Sequence, residues 1–440
     1  MELIKFLPAR AVLATVSAIV SMAIGGQLRA DWPQWRGPNR DDISAETGLL
    51  QSWPEGGPRR VWLFKNCGVG YSGPAIVKNR LYIMGARDGQ ELLLAIDAAK
   101  GTELWASPIG DMLENNWGDG PRGTPTVDGD FVYAIGGQGN LVCIHAADGK
   151  LAWKKSFVDD LGGKTPMWGF AESPYVHGDV VVCTPGGDQG ALAGLNKKTG
   201  DILWRTNEID SGAHYASIVA ARRSYGPECV QLLPDQLIGF NPETGEVHWS
   251  EGWPGQVAVV PTPITRGDFV YATTGYGVGC KLFKIGDDRS VNTVFENKVM
   301  KNHHGGVILV GDHLYGYSDD QGWMCQEFLT GKRLWREERD EAEKEAGESL
   351  GKGAIAYAHG RLYCLGEDDG QVVLIEASPK GWKEHGRFTL APQTTLRKPS
   401  GRIWTHPVIC DGRLYLRDQD MLFCYDVSAP RGSANDAGGD

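Results

Sequence analysis

Ahead of a series of short apolar runs, this 440-residue chain repeatedly sets residues that can bind or react. Tyr71 and Ser72 precede the run at Pro74, Trp117, Asp119 and Arg122 the run at Pro125, and Trp168 and Glu172 the run at Pro174. His214 and Tyr215 stand before Ile218, Thr262 before Pro263, His303 and His304 before Val307, Lys352 before Ala354, and Trp404, Thr405 and His406 before Pro407. An aromatic face, the Arg122 guanidinium and the carboxylates of Asp119 and Glu172 could hold a flat polyanion and a Ca²⁺ ion, and could supply a general base. The four histidines could ligate Zn, Cu or Fe, since imidazole suits all three. None has the i, i+2 or i, i+4 spacing of a preformed metal motif, and neighbours in a strand face opposite ways, so His303 and His304 should point apart. The bland alternative is structural: Glu172 and Arg122 as an ion pair tying neighbouring units, and imidazoles bonded to backbone. No Ser/His/Asp arrangement, phosphate-binding glycine loop or paired catalytic carboxylates stands out.

The elements that position these residues come from a repeat. Gly supplies 60 of 440 residues, about twice the usual share of roughly 7%, and lies singly or in pairs between apolar runs, as tight turns in an all-β chain require. Aligned at its tryptophans, the chain shows a unit of about 40–53 residues, clearest as GTPTVDGDFVYAIGGQGNLVCIHAADGKLAW from Gly123 to Trp153 and again from Glu172 to Trp204. Each unit reads as four short strands. The last two are joined by D/N-x-x-T-G, in which Asp or Asn caps the backbone and Gly takes a positive φ.

The fourth strand carries a Trp too large for one small sheet to bury alone. Each sheet must therefore dock on a neighbour, and such units close into a ring. The final repeat, THPVICDGRLYLRDQDMLFCYDV, lacks a fourth strand, whereas Arg60–Phe64 is a fourth strand without its first three. Pairing them closes the ring and removes free sheet edges. Fourth strands near Trp62, Trp105, Trp153, Trp204, Trp249, Phe295, Trp335 and Phe388 give an all-β, eight-bladed β-propeller over residues 60–429, preceded by a lead-in at 31–59. The charged stretch 336–350 is expected to be a short solvated helix or loop, and the tail 430–440 to be disordered.

Residues 1–30 read as a signal peptide: Lys5 and Arg10 precede the apolar stretch Ala11–Ile24, and Leu28-Arg29-Ala30 offers an imperfect cleavage site. Those fourteen apolar residues fall short of the about 20 needed to span a bilayer. Export to the periplasm or the extracellular space follows, with no integral membrane segment in the mature chain. The whole chain carries a formal charge of −11, and loss of 1–30 leaves −13, with no basic stripe to meet nucleic acid. Most of the nine cysteines fall inside apolar strand-like runs such as LVCIH, as small buried hydrophobes rather than disulfide partners.

The D/N-x-x-T-G-x-x-x-W signature, at Asn196–Trp204 and Asn241–Trp249, resembles the repeat of pyrroloquinoline-quinone (PQQ)-like propellers. DWPQWRGPNR at 31–40, MWGFAESP at 167–174 and KNHHGGVILVGDHLYGY at 301–317 are similar to segments of exported proteins of that type. Quinoprotein alcohol dehydrogenases and the propeller lipoprotein of outer-membrane β-barrel assembly share the repeat. In such propellers the first strand of each blade lines the central channel. The resemblance thus gathers Trp117, Asp119, Arg122, Trp168, Glu172, His214, Tyr215, His303, His304, Lys352, Trp404 and His406 at one mouth, the expected binding site. It implies an exported binding or scaffold protein that engages a protein partner or a small-molecule ligand there or at the inter-blade loops. The alternative is an alcohol-dehydrogenase-like oxidoreductase using PQQ with Ca²⁺. Against it, the chain has no adjacent Cys-Cys pair and little length for a cap over the site. The chain also has no lipobox Cys near the cleavage point.

Overall fold

The turn before each fourth strand shows how sequence sets geometry. In Asn196–Gly200 the Asn196 side-chain oxygen accepts the amides of Lys198 and Thr199 at 2.9 and 3.2 Å. Gly200 then turns with φ +76° and returns its amide to the Asn196 carbonyl at 2.8 Å. In the computed structural model, which describes residues 31–337 and 349–430, this unit recurs around a closed ring of eight sheets. The expected signal peptide lies outside the described residues, as do most of the charged segment (338–348) and nearly all of the tail (431–440).

Blade 1 comprises Ala75–Val77, Arg80–Arg87, Gln90–Asp97 and Thr102–Asp111. Blades 2 to 7 begin at Thr126–Asp128, Tyr175–His177, Val219–Arg223, Ile264–Arg266, Val307–Val310 and Gly353–Ala358, and each ends on the expected fourth strand. Blade 8 has Val408–Cys410, Arg413–Asp418 and Met421–Asp426, and is completed by Arg60–Phe64 from the other end of the chain, with Leu63 opposite Phe423. The ring closes as the sequence implies. Arg417, fully buried in blade 8, seals the junction by donating to the carbonyls of Ser72, Met84 and Gly68 in and around blade 1.

The core is a run of inter-blade layers. The indole of Trp153 in blade 2 donates to the Lys197 carbonyl of blade 3 at 3.0 Å, and that of Trp62 in blade 8 donates to Ala98 of blade 1 at 3.0 Å. All nine cysteines are buried and none is in a disulfide. Among the described residues no helix is long and apolar enough to cross a membrane.

The lead-in does more than connect. Trp32 bridges to Ile76 of blade 1, and Pro33 accepts the Val127 amide of blade 2 at 2.8 Å. Arg40 donates to the carbonyls of Ser173 and Pro174 ahead of blade 3, and to Ile218 ahead of blade 4. Trp35 Nε1 donates to Thr262 Oγ1 ahead of blade 5 at 3.0 Å, and Arg36 to the Val307 carbonyl of blade 6 at 2.6 Å. Ile43–Ser44 adds a parallel strand to Gly353–Ala358 of blade 7, and Asp42 meets His406 Nδ1 ahead of blade 8 at 3.0 Å. Fewer than fifteen residues thus touch the channel-lining end of every blade and plug the axis. An Arg36–Asp42 ion pair of 2.6 Å, both side chains 1% exposed, holds the plug.

Candidate functional site

Because each first strand begins at the same end of the ring, the residues ahead of them converge over the plug. They enclose a pocket of about 340 Å³, near the lower end of the roughly 300–1,000 Å³ of ligand sites. Trp117, Arg122, Trp168, Tyr215, His303, His304, Trp404 and His406 line it, as the sequence leads one to expect. Trp35 and Arg36 of the plug, Tyr71 and Tyr276 also line it.

The walls are rings in contact. Tyr71 and Trp404 lie 5.0 Å apart between centroids, Trp404 and His304 4.9 Å, and His304 and His303 3.8 Å. Trp168 against Tyr215 at 5.7 Å forms another part of the wall, and Trp35 approaches His406 at 4.6 Å. His303 and His304 do not point apart. They precede the strand at Val307 rather than belonging to it, so strand alternation does not apply, and their rings stack at 23°.

The rings of His303 and His406 are held by hydrogen bonds on both nitrogens, whereas His304 Nδ1 is buried without a hydrogen-bond partner. His303 Nε2 meets the Tyr276 hydroxyl at 2.6 Å and its Nδ1 the Lys352 ammonium at 3.1 Å. Burial, with Lys352 beside it, pushes His303 down to about 4. Burial and the neighbouring His303 hold His304 well below the ordinary imidazole value. His406 faces Asp42 on one nitrogen and the His304 carbonyl on the other.

Four expected residues are placed elsewhere. Glu172 is buried behind the wall, where its carboxylate accepts the Thr184 amide at 2.7 Å and hydroxyl at 2.9 Å, and burial pushes it up to about 7. It forms no ion pair with Arg122. Asp119 is held by Lys398 at 2.9 Å and by the Asn115 amide at 2.8 Å. His214 accepts the Val259 amide at 3.1 Å, and Lys352 pairs with Asp319 at 2.6 Å, behind His303. Glu367, not singled out in the sequence, accepts Trp404 Nε1 at 3.1 Å, and burial pushes it up to about 7.

Arg122 differs from the other buried arginines near the axis. Arg40 and Arg417 have their guanidinium groups filled by carbonyl and amide oxygens. Arg122 commits one donor each to the carbonyls of Gly120 and Gly118, lies over Tyr71 at 5.6 Å, and makes no ion pair among the described residues. The pocket lining includes no Asp, Glu or Asn, so it offers no carboxylate or side-chain amide oxygen to a Ca²⁺ ion and no carboxylate base. Among the described residues no group of three or more His, Cys, Asp or Glu could hold a metal ion. PQQ with Ca²⁺ therefore does not fit this lining.

Architecture and lining together define a plugged propeller of the PQQ-like class with an aromatic axial pocket. A family model described as outer membrane protein assembly factor BamB matches residues 89–337, more than half of the chain, and the chain belongs to that family. It is 23% identical to BamB of Burkholderia pseudomallei over 401 residues, covering 87% of this chain and 91% of the relative. It is 21% identical to BamB of Shewanella oneidensis over 375 residues, covering 74% and 89%. Among solved structures, BamB from Moraxella catarrhalis superposes with a TM-score of 0.57 at 14% identity, over 84% of this chain and 99% of that one. A quinohemoprotein alcohol dehydrogenase from Comamonas testosteroni gives 0.60 at 12%, over 93% and 82%. These two likenesses show the fold alone.

Proposed function

We propose that this chain is an exported propeller scaffold that holds a partner at its axial mouth, in the kind of envelope-assembly role that the name of its family carries. The observation that carries the reading is the pocket itself: an aromatic cup above a plugged axis, containing a guanidinium without a carboxylate partner. A plugged channel cannot conduct, and an aromatic cup around an uncommitted guanidinium suits recognition of a partner. Export rests on residues 1–30 and fits the outer-membrane role named for the relatives.

The test is made in the native host. Fractionation and mass spectrometry should find the chain outside the cytoplasm and beginning near Asp31. A photo-crosslinking residue at Met167, on the loop bearing Trp168, should capture a discrete envelope protein. The same probe at Leu151, on the outer strand of blade 2, should not. A cytoplasmic chain with an intact amino terminus, or equal capture from both positions, would overturn the reading.

A further inference from the structure

The mouth carries more apolar surface than its pocket needs. Met167 is 76% exposed, Val257 61%, Trp117 48% and Tyr276 39%. Trp117 and Tyr276 line the pocket, Met167 and Val257 adjoin its lining residues Trp168 and Ala258, and the Asn115 side chain bonds the Met167 carbonyl at 3.0 Å. A small molecule inside about 340 Å³ would leave this rim in water, whereas exposed apolar rims of this kind mark protein interaction sites.

Two rim residues are also held at a conformational cost. Val257 has φ +40° and Tyr276 φ +54°. A β-branched residue at positive φ is an outlier, and such strain persists at sites where the presented side chain is used. No packing in the core rewards Val257 for that conformation, since its side chain lies open to solvent.

The charge inventory gives the partner's sign. Among the ionisable groups at the mouth, Arg36 is matched by Asp42, Lys352 by Asp319, and Asp119 by Lys398, while Glu367 accepts Trp404 Nε1. Glu91, whose charge Arg122 feels, is taken up by the amides of Leu113 and Gly137. Arg122 has five N–H donors and commits only two of them, both to backbone. Its open donors match a carboxylate fork.

We propose that the mouth is a socket for a projecting loop of a partner protein, which seats an apolar or aromatic side chain among the tryptophans and a neighbouring Asp or Glu carboxylate on Arg122. This rests on the scaffold reading above and names the chemistry of its partner.

The experiment is selection of a random constrained-peptide library on the full mature chain, repeated on Arg122→Gln and Trp117→Ala variants whose thermal midpoints match the wild type. The wild type should enrich peptides with an acidic residue next to an aromatic or large aliphatic one. A synthetic winner should lose at least tenfold in affinity against Arg122→Gln, and again when its acid is replaced by Asn or Gln. Winners without an acid, winners that bind Arg122→Gln equally, or no enrichment at all would overturn the proposal. If Met167 still crosslinks a discrete partner while selection gives acid-free winners, the inference falls and the scaffold reading stands. If both fail, the scaffold reading falls too.

Discussion

Gly200 of blade 3 lies against the indole of Trp153 of blade 2, so close that a Cβ at Gly200 would sit 2.8 Å from the ring. The same placement recurs at Gly245 against Trp204. The T-G of one repeat and the W of the preceding one therefore form one joint, which is why the two elements travel together in the signature.

Gly200→Ala should break that joint twice, by strain at φ +76° and by overlap with the indole. The expected loss is about 2–4 kcal/mol, measured as a lower urea midpoint. Ala at Gly178, which also has a positive φ of 55° but nothing within 4 Å, should cost only the conformational part. Equal losses at both sites would show that the indole contact is not what fixes the glycine.

Arg36→Met leaves Asp42 charged in the channel without its 2.6 Å partner. Breaking a buried pair of this kind costs about 3–5 kcal/mol. Arg59→Met, which removes a pair whose Arg side chain is 70% exposed, should cost no more than about 1 kcal/mol. Denaturant titration of both variants checks the contrast. Similar small losses would mean that the plug does not hold the ring.

Glu172 links stability to pH. Its folded carboxyl is pushed up to about 7 by burial, from an ordinary value of 4.5. The native state therefore holds a proton that the unfolded chain releases, so stability is full below about pH 4.5 and falls as pH rises toward 7. Glu367 contributes with the same sign. Glu172→Gln keeps an oxygen for the Thr184 amide and should flatten the profile, gaining on the order of 3 kcal/mol over wild type at pH 8 relative to pH 4.5. Parallel profiles for the two proteins would contradict this.

The ring was legible because its signals are periodic. Trp, Gly and the Asx turn recur at fixed offsets, and the orphan strand at Arg60–Phe64 had one place to go. The mouth was legible to the extent that position ahead of a first strand sets where a side chain goes, and Trp117, Arg122, Trp168 and Trp404 do line one pocket. It failed for Glu172 and His214 because being near the mouth does not decide which way a side chain turns. Glu172 found two donors on Thr184, and His214 found the Val259 amide. The plug was invisible because it has no period. Its contacts, such as Trp35 with Thr262 ahead of blade 5 and Arg36 with the Val307 carbonyl of blade 6, follow no repeat.

If the axial mouth is the working surface, Trp117 is the residue whose loss should be felt first. Its side chain is 48% exposed, while the backbone bond from the Tyr71 hydroxyl to its carbonyl, 2.8 Å long, survives replacement by Ala. In the native host, crosslinking from Met167 is compared between the wild-type and Trp117→Ala backgrounds. Captured partner should fall at least tenfold in the Trp117→Ala background at equal protein level and equal thermal midpoint. Undiminished capture would mean that the mouth is not the working surface.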